Sequence, residues 1–297
     1  IEQPVHFYHA VFQNKVNFDR TIFNGDVRFR NSEFKGDAQF RDAKFNADTY
    51  FTYTRFNDSA HFMGAKFNGG AYFGYSEFID NADFIFSQFN GPASFMFLEF
   101  YGYTYFWYSK FNADAHFIHN TFEKEAYFND ALFNANASFN SSQFKGDLLF
   151  ENTTFQGRLS LTKTRYDELY TRWYNIDEHL VYDDTAYISL MKNFKALGYF
   201  EDYDSCYFQY RKEHRAKPWP AVNDGEERFR KLIDYPLEWF YGYGTKPFNA
   251  FLFSIAIILV FTLFWWERGL GGPNDMTPAV LPVGEEWVDG DIIDILG

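Results

Sequence analysis

A few residues in this chain have the type and spacing that could do chemistry. His6 with His9, and His116 with His119, are pairs three apart that could begin a metal site. Asp26, Asp37, Asp48, Asp114 and Asp147 recur at multiples of 11 and suggest a Ca²⁺ ladder. Cys206 is the single thiol. Gly242-Tyr243-Gly244 beside an apolar run has the residue types of a selectivity filter. Each has a plainer reading. No Cys or carboxylate set completes a ligand group around the histidine pairs, and His61, His179 and His214 stand apart. The Gly-rich nonapeptide of Ca²⁺-binding repeats is missing, and Asp is a turn former. One Cys makes no internal disulfide and no thiolate cluster. The Gly-Tyr-Gly segment precedes its apolar run, the wrong side for a filter. No phosphate-cradling loop or nucleophile motif is present. The expectation is a non-enzyme with no catalytic residue, cofactor, metal or small-molecule substrate.

The elements that would carry these residues follow from a strict beat. Phe stands at every eleventh residue from Phe7 to Phe150, and again from Phe12 to Phe155. The two series interleave at spacings of 5 and 6, giving 28 Phe with none missed. Two residues before each Phe stands Ala, Ser, Thr or Val, broken only by Leu98, Asn120 and Leu148. A period of two within each unit means a short strand with both residues pointing inward. Asn, Gly and Asp between the units are turn residues, as in Phe23-Asn24-Gly25-Asp26. One such unit cannot bury its Phe alone, so successive coils must stack ring on ring.

This pattern resembles the pentapeptide-repeat family, whose central large residue matches the Phe positions and whose small residue matches the positions two before. The resemblance implies a mainly β fold: a right-handed quadrilateral β-helix of four units per coil. It gives about 7 coils of 22 residues and a rod of about 34 Å. The family's fold says little about activity.

Net charge is −13, spread unevenly. Residues 1–165 carry −3, 166–247 carry −4 and 248–297 carry −6. No region is basic enough for nucleic acid.

The outward residues of the rod are polar near its ends and apolar in the middle. On the 22-residue coil Met63, Ile85, Phe86, Trp107 and Tyr108 fall on one face. Tyr53, Tyr75, Met96, Phe97 and Ile118 fall on the opposite face. Such a belt marks a protein partner surface, or is filler in a Phe-rich solenoid, or is covered by the helices that follow.

Leu159 and Leu161 read as a last strand, and residues 166–247 as a helical cap and membrane-proximal linker after a repeat domain of 1–165. Asp184 is expected to N-cap a helix ending near Leu197, with Gly198 as its stop. A second helix is expected over 200–216, ended by Pro218 and Pro220. A third is expected over 224–241 with a break at Pro236. Residues 248–266 lack any charge and are long enough, at about 28 Å, to span a bilayer. Phe248, Phe251, Ile255, Ile258 and Phe261 would face lipid, and Trp265 and Trp266 would sit at the interface. An acidic loop-like tail, 267–297, follows.

Sidedness is signalled both ways. Arg228, Arg230, Lys231 and Lys246 precede the span and only Arg268 follows it, which puts the rod in the cytoplasm. Tyr166-Asp167-Glu168-Leu169, Asn193-Phe194-Lys195-Ala196-Leu197-Gly198-Tyr199-Phe200 and Cys206-Tyr207-Phe208-Gln209-Tyr210-Arg211 resemble archaeal membrane-anchored pentapeptide-repeat proteins. That resemblance implies a signal peptide before the missing Met, an outward-facing rod and a membrane region continuing past Gly297. Sequons at Asn57, Asn136, Asn140 and Asn152 agree with it but arise by chance in Asn- and Ser-rich repeats. Three functions remain open. The first is a membrane-tethered scaffold in contact with lipid, self-associating or binding a membrane-protein partner. The second is a sensor or accessory domain of a channel-like protein. The third is DNA mimicry, known among soluble relatives, which the near-neutral rod and the apolar span disfavour.

Overall fold

The computed structural model describes residues 1–216, 225–245 and 247–268. Their contacts divide into two compact units, with the boundary between Tyr235 and Pro236.

The first unit is built on the Phe beat. Thirty short strands form four parallel sheets of eight, seven, eight and seven strands. The first sheet runs from Val5–His6 to Leu159–Ser160, the second from Val11–Phe12 to Gln143–Phe144. The third runs from Val16–Asn17 to Leu169–Tyr170, the fourth from Ile22–Phe23 to Thr154–Phe155. Register is one coil of 22 residues, as in Val5↔Val27 and Phe56↔Phe78. The quadrilateral coil has about eight turns, one more than the Phe count predicts. Two strands lie beyond the 28 Phe units: Leu159–Ser160, expected as the last, and Leu169–Tyr170, paired Leu148↔Leu169 at a separation of 21, one residue short of the beat.

Phe23 to Phe155 are buried along both series. Rings stack coil on coil: Phe29, Phe51, Phe73, Phe95, Phe117 and Phe139 follow at 4.9, 5.1, 4.9, 4.8 and 5.0 Å. Rings from adjacent corners meet edge to face, as Phe73 and Phe84 do at 5.5 Å and 90°. Both arrangements suit the ring quadrupole and add about 0.5–1.5 kcal/mol per pair beyond burial.

The two spacings are two turn types. The five-residue step holds a tight turn: after the third sheet the N–H three residues on returns to the Phe carbonyl, as Ala65 does to Phe62 (2.9 Å), and after the first sheet it can donate instead to a side chain of the next coil, as Thr54 does to Ser76 Oγ (2.9 Å). Its third residue has positive φ at every eleventh position from His9 to Lys163. The residue after it points inward. Where that residue is Ser or Thr, its hydroxyl donates to the Phe carbonyl of the preceding coil: Thr54 to Phe29 (2.5 Å), Ser87 to Phe62 (2.7 Å), Ser109 to Phe84 (2.6 Å). The six-residue step carries an outer asparagine ladder, Asn24, Asn46, Asn68, Asn90, Asn112 and Asn134. Each amide donates to the previous one at 2.6–2.7 Å.

The C-terminal end of the rod is closed by α1 (Asp184–Ala196) and α2 (Phe200–Ala216). Asn193 of α1 satisfies the open strand edge: Leu169 N–H donates to its Oδ1 (2.9 Å) and its Nδ2 donates to the Leu169 carbonyl (2.8 Å). Trp173, Tyr187, Leu190, Phe194 and Cys206 fill the space beneath. The N-cap of α1 is Asp183, not Asp184: the Asp183 carboxylate accepts from Ala186 N–H (3.0 Å), while Asp184 already has helical backbone. Gly198 ends the helix with φ +74°. The residues expected to stop α2, Pro218 and Pro220, lie outside the described residues.

A third helix, α3 (Gly225–Tyr241), continues through Pro236 where a break is expected, and the unit boundary falls there instead. In the second unit α4 (Pro247–Glu267) is the helix long and apolar enough to cross a membrane, with 20 residues of mean hydropathy 2.3 and none of its window buried. Phe248, Phe251, Ile255, Ile258, Phe261, Trp265 and Trp266 all lie on it, each exposed.

Candidate partner surface

The residues with metal-like spacing are not drawn together into a site. His116 lies in a strand opposite Ser94, its Nδ1 buried without a partner, while His119 sits in the following turn and stacks on Phe97 at 5.0 Å. His6 packs beside Tyr8 (5.5 Å). Among the described residues no group of three or more His, Cys, Asp or Glu could hold a metal ion. The periodic aspartates tie coil to coil: Asp48 accepts from Gly70 N–H (2.8 Å) and Asp114 from Asn136 N–H (3.1 Å). Burial, then nearby Asp202, pushes the Cys206 thiol well above its ordinary value, so it is a packed apolar group. Tyr243 of the Gly-Tyr-Gly segment has φ +57° inside a 3₁₀ turn before α4.

The mid-rod residues fall into two columns on opposite sheets. After the first sheet come Tyr53, Tyr75 and Phe97, stacked at 4.9 and 4.8 Å, with His119 as the next rung. Met96 and Ile118 pair beside them in the strand and are half-buried. After the third sheet come Phe86 and Tyr108, stacked at 5.0 Å. Trp107, Met63 and half-buried Ile85 line the neighbouring column, and Trp107 packs edge-on against Tyr105 (5.7 Å) and Tyr127 (5.6 Å). The two groups stay on separate faces and form no single patch.

One feature of these residues was not visible in the spacing alone. Tyr53, Tyr75, Phe86, Phe97 and Tyr108 all occupy the positive-φ position of the tight turn. Toward the ends of the rod that position holds His9, Arg20, Asn31 and Asp42, then Asp130, Ser141, Asn152 and Lys163. An L-residue in the left-handed region costs roughly 1–2 kcal/mol, and bulky side chains are rare there. The five aromatics stay 41–55% exposed.

The Tyr50–Tyr72 pair (4.9 Å) flanks the first column, and burial pushes the Tyr50 hydroxyl above its ordinary value, followed by the Asp48 charge. The Tyr50 phenol therefore stays protonated across the physiological range. The first column presents flat aromatic area with hydroxyl edges.

A family model described as pentapeptide repeats (9 copies) matches residues 7–55, 51–96 and 117–165. No curated protein and no solved structure matches the chain.

Proposed function

The repeat region of this chain belongs to the pentapeptide-repeat family, and from that premise we propose that the protein is a non-enzymatic scaffold, anchored in a membrane by α4, whose rod associates with itself or with a membrane-protein partner through its aromatic middle. The observation that carries the reading is the set of five large aromatics held half-exposed at positive-φ turns. A chain under selection for stability alone would place Asn, Asp or Gly there. The 20-residue apolar helix supports anchoring, since none of its window is buried against protein. On this reading the rod faces away from the cytoplasm, and neither nucleic acid nor a small molecule is its ligand.

The test is the mass of the natively purified full chain in detergent, by light scattering, for wild type and for Phe86→Asp with Trp107→Asp. The charged pair is expected to reduce the assembly mass. Phe86→Asn is the control for folding: it relieves the left-handed strain and loses one ring stack, so stability changes little while the assembly still weakens. A mass unchanged in both variants refutes the belt as a contact surface.

A further inference from the structure

Helix α3 is amphipathic, and it is docked the wrong way round for a soluble protein. Phe229, Leu232 and Ile233 stand at i, i+3 and i+4, on one face of the helix. They are turned outward, with Phe229 63% and Leu232 59% exposed. The opposite face is the one that meets protein. Asp234 is buried to 6% exposure and ion-paired with Arg211 of α2. Arg215 of α2 lies over the Tyr235 ring at 4.4 Å. A helix that buries its carboxylate and presents its apolar stripe needs an apolar medium on its far side.

Two observations say which medium. The far end of α3 reaches the apolar helix directly: Trp239 and Phe240 pack on Phe253 of α4 at 4.6 and 4.1 Å. The sequence also sets Arg228, Arg230 and Lys231 among the stripe residues, with Glu226 and Glu227 before them, so the stripe is flanked by charge of both signs as at a headgroup interface. We propose that α3 lies in the interface of the bilayer, with Phe229, Leu232 and Ile233 inserted at the headgroup–acyl boundary. This rests on the reading of α4 as the membrane span. It assigns the Arg211–Asp234 pair a role: the pair holds the helix by its polar side so that the apolar side is offered to lipid. The protein then meets the membrane through a crossing helix and a surface-lying helix.

The experiment uses the full chain reconstituted in vesicles of phosphatidylcholine and phosphatidylglycerol. Single nitroxide labels are placed through Leu232→Cys, Phe229→Cys, Ile258→Cys and Lys212→Cys, with buried Cys206 left in place. Collision with oxygen and with a water-soluble nickel chelate reports depth. The expected result is oxygen-dominated collision deep in the bilayer at position 258, oxygen-dominated collision about 5–10 Å below the headgroups at 229 and 232, and nickel-dominated collision at 212. Nickel-dominated collision at 229 and 232 with 258 still in lipid overturns the proposal and leaves the anchor intact. Shielding of 229 and 232 from both reagents also overturns it, because protein then covers the stripe. Nickel-dominated collision at 258 refutes the anchor itself.

Discussion

Asn120 is the sharpest test of how the coils are tied. It breaks the small-residue rule before Phe122, yet it is 1% exposed and stands in an inward column with Ser32, Thr54, Ser76, Ser142 and Thr164. Its Nδ2 donates to the Phe95 carbonyl (2.7 Å) and its Oδ1 accepts from Leu98 N–H (2.9 Å). In the turns after the third sheet the Phe carbonyl keeps a local main-chain donor. Phe62, for instance, accepts from both Ala65 N–H and Ser87 Oγ. In the column after the first sheet a side chain takes the place of that local bond, Asn120 here as Ser76 does between Thr54 N–H and the Phe51 carbonyl, and the strands around Asn120 lengthen to Ala93–Met96 and Ala115–Ile118. Asn120→Ala therefore orphans a buried donor and a buried acceptor at once, at about 1–3 kcal/mol each. Partial closure of the turn offsets some of this, and the net expectation is about 2–4 kcal/mol. Ser87→Ala leaves the Phe62 carbonyl bonded and costs about 0.5–1.5 kcal/mol. The assay is amide hydrogen exchange by mass spectrometry on the peptide containing Leu98, with the full chain in detergent. Asn120→Ala should speed exchange about 30- to 700-fold, which is 2–4 kcal/mol at 1.4 kcal/mol per decade. Exchange no faster than in Ser87→Ala would refute the account of Asn120 as the local replacement for a turn bond.

Other expectations follow from single features. Burial raises the Asp147 carboxyl above its ordinary value, then Glu168, Asp167 and Glu125 add repulsion. An acid raised in the folded state destabilises it when ionised, so the cost is present above the folded value and disappears as pH falls through it. Asp147→Asn should raise the melting temperature near about pH 7 and lose that advantage on acidification. Cys206 should resist thiol reagents in the native protein at about pH 8 and react only on unfolding; native labelling would contradict its burial. Asn193→Ala should destabilise the cap by about 2–4 kcal/mol, since both of its bonds close the Leu169 edge, and exchange at Leu169 reports it. Protease added to intact cells should digest the rod if it faces outward and spare it if it faces the cytoplasm.

The β-helix was legible because its physics is periodic. A ring every five or six residues, with a small partner two before, leaves few other ways to bury 28 Phe. The last turn was not legible, because Leu169 has no Phe beside it and its register slips to 21. Asp183 and Asp184 are equally good caps by type, and only the reach to Ala186 N–H separates them. Pro236 reads as a helix break in isolation, but α3 tolerates the missing N–H. The exposed mid-rod aromatics could be placed on two faces from the 22-residue repeat. That they sit at positive φ could not be read from residue type, since Tyr and Phe are poor markers of that conformation. The same limit hid the role of Asn120, whose value lies in two backbone groups 22 and 25 residues away.

The tight turn has a further consequence. Its geometry is held by main-chain bonds and by the buried hydroxyl one residue on, while the side chain at the left-handed position points away from everything that holds the coil together. His, Arg, Asn, Asp, Tyr, Phe, Ser and Lys all occupy it in this one molecule. Two edges of the rod are thus pegboards with holes at a pitch of about 4.8–5.0 Å, as the ring spacings record. A new binding face can be written onto them one peg per coil, and erased again, without disturbing a single phenyl ring inside.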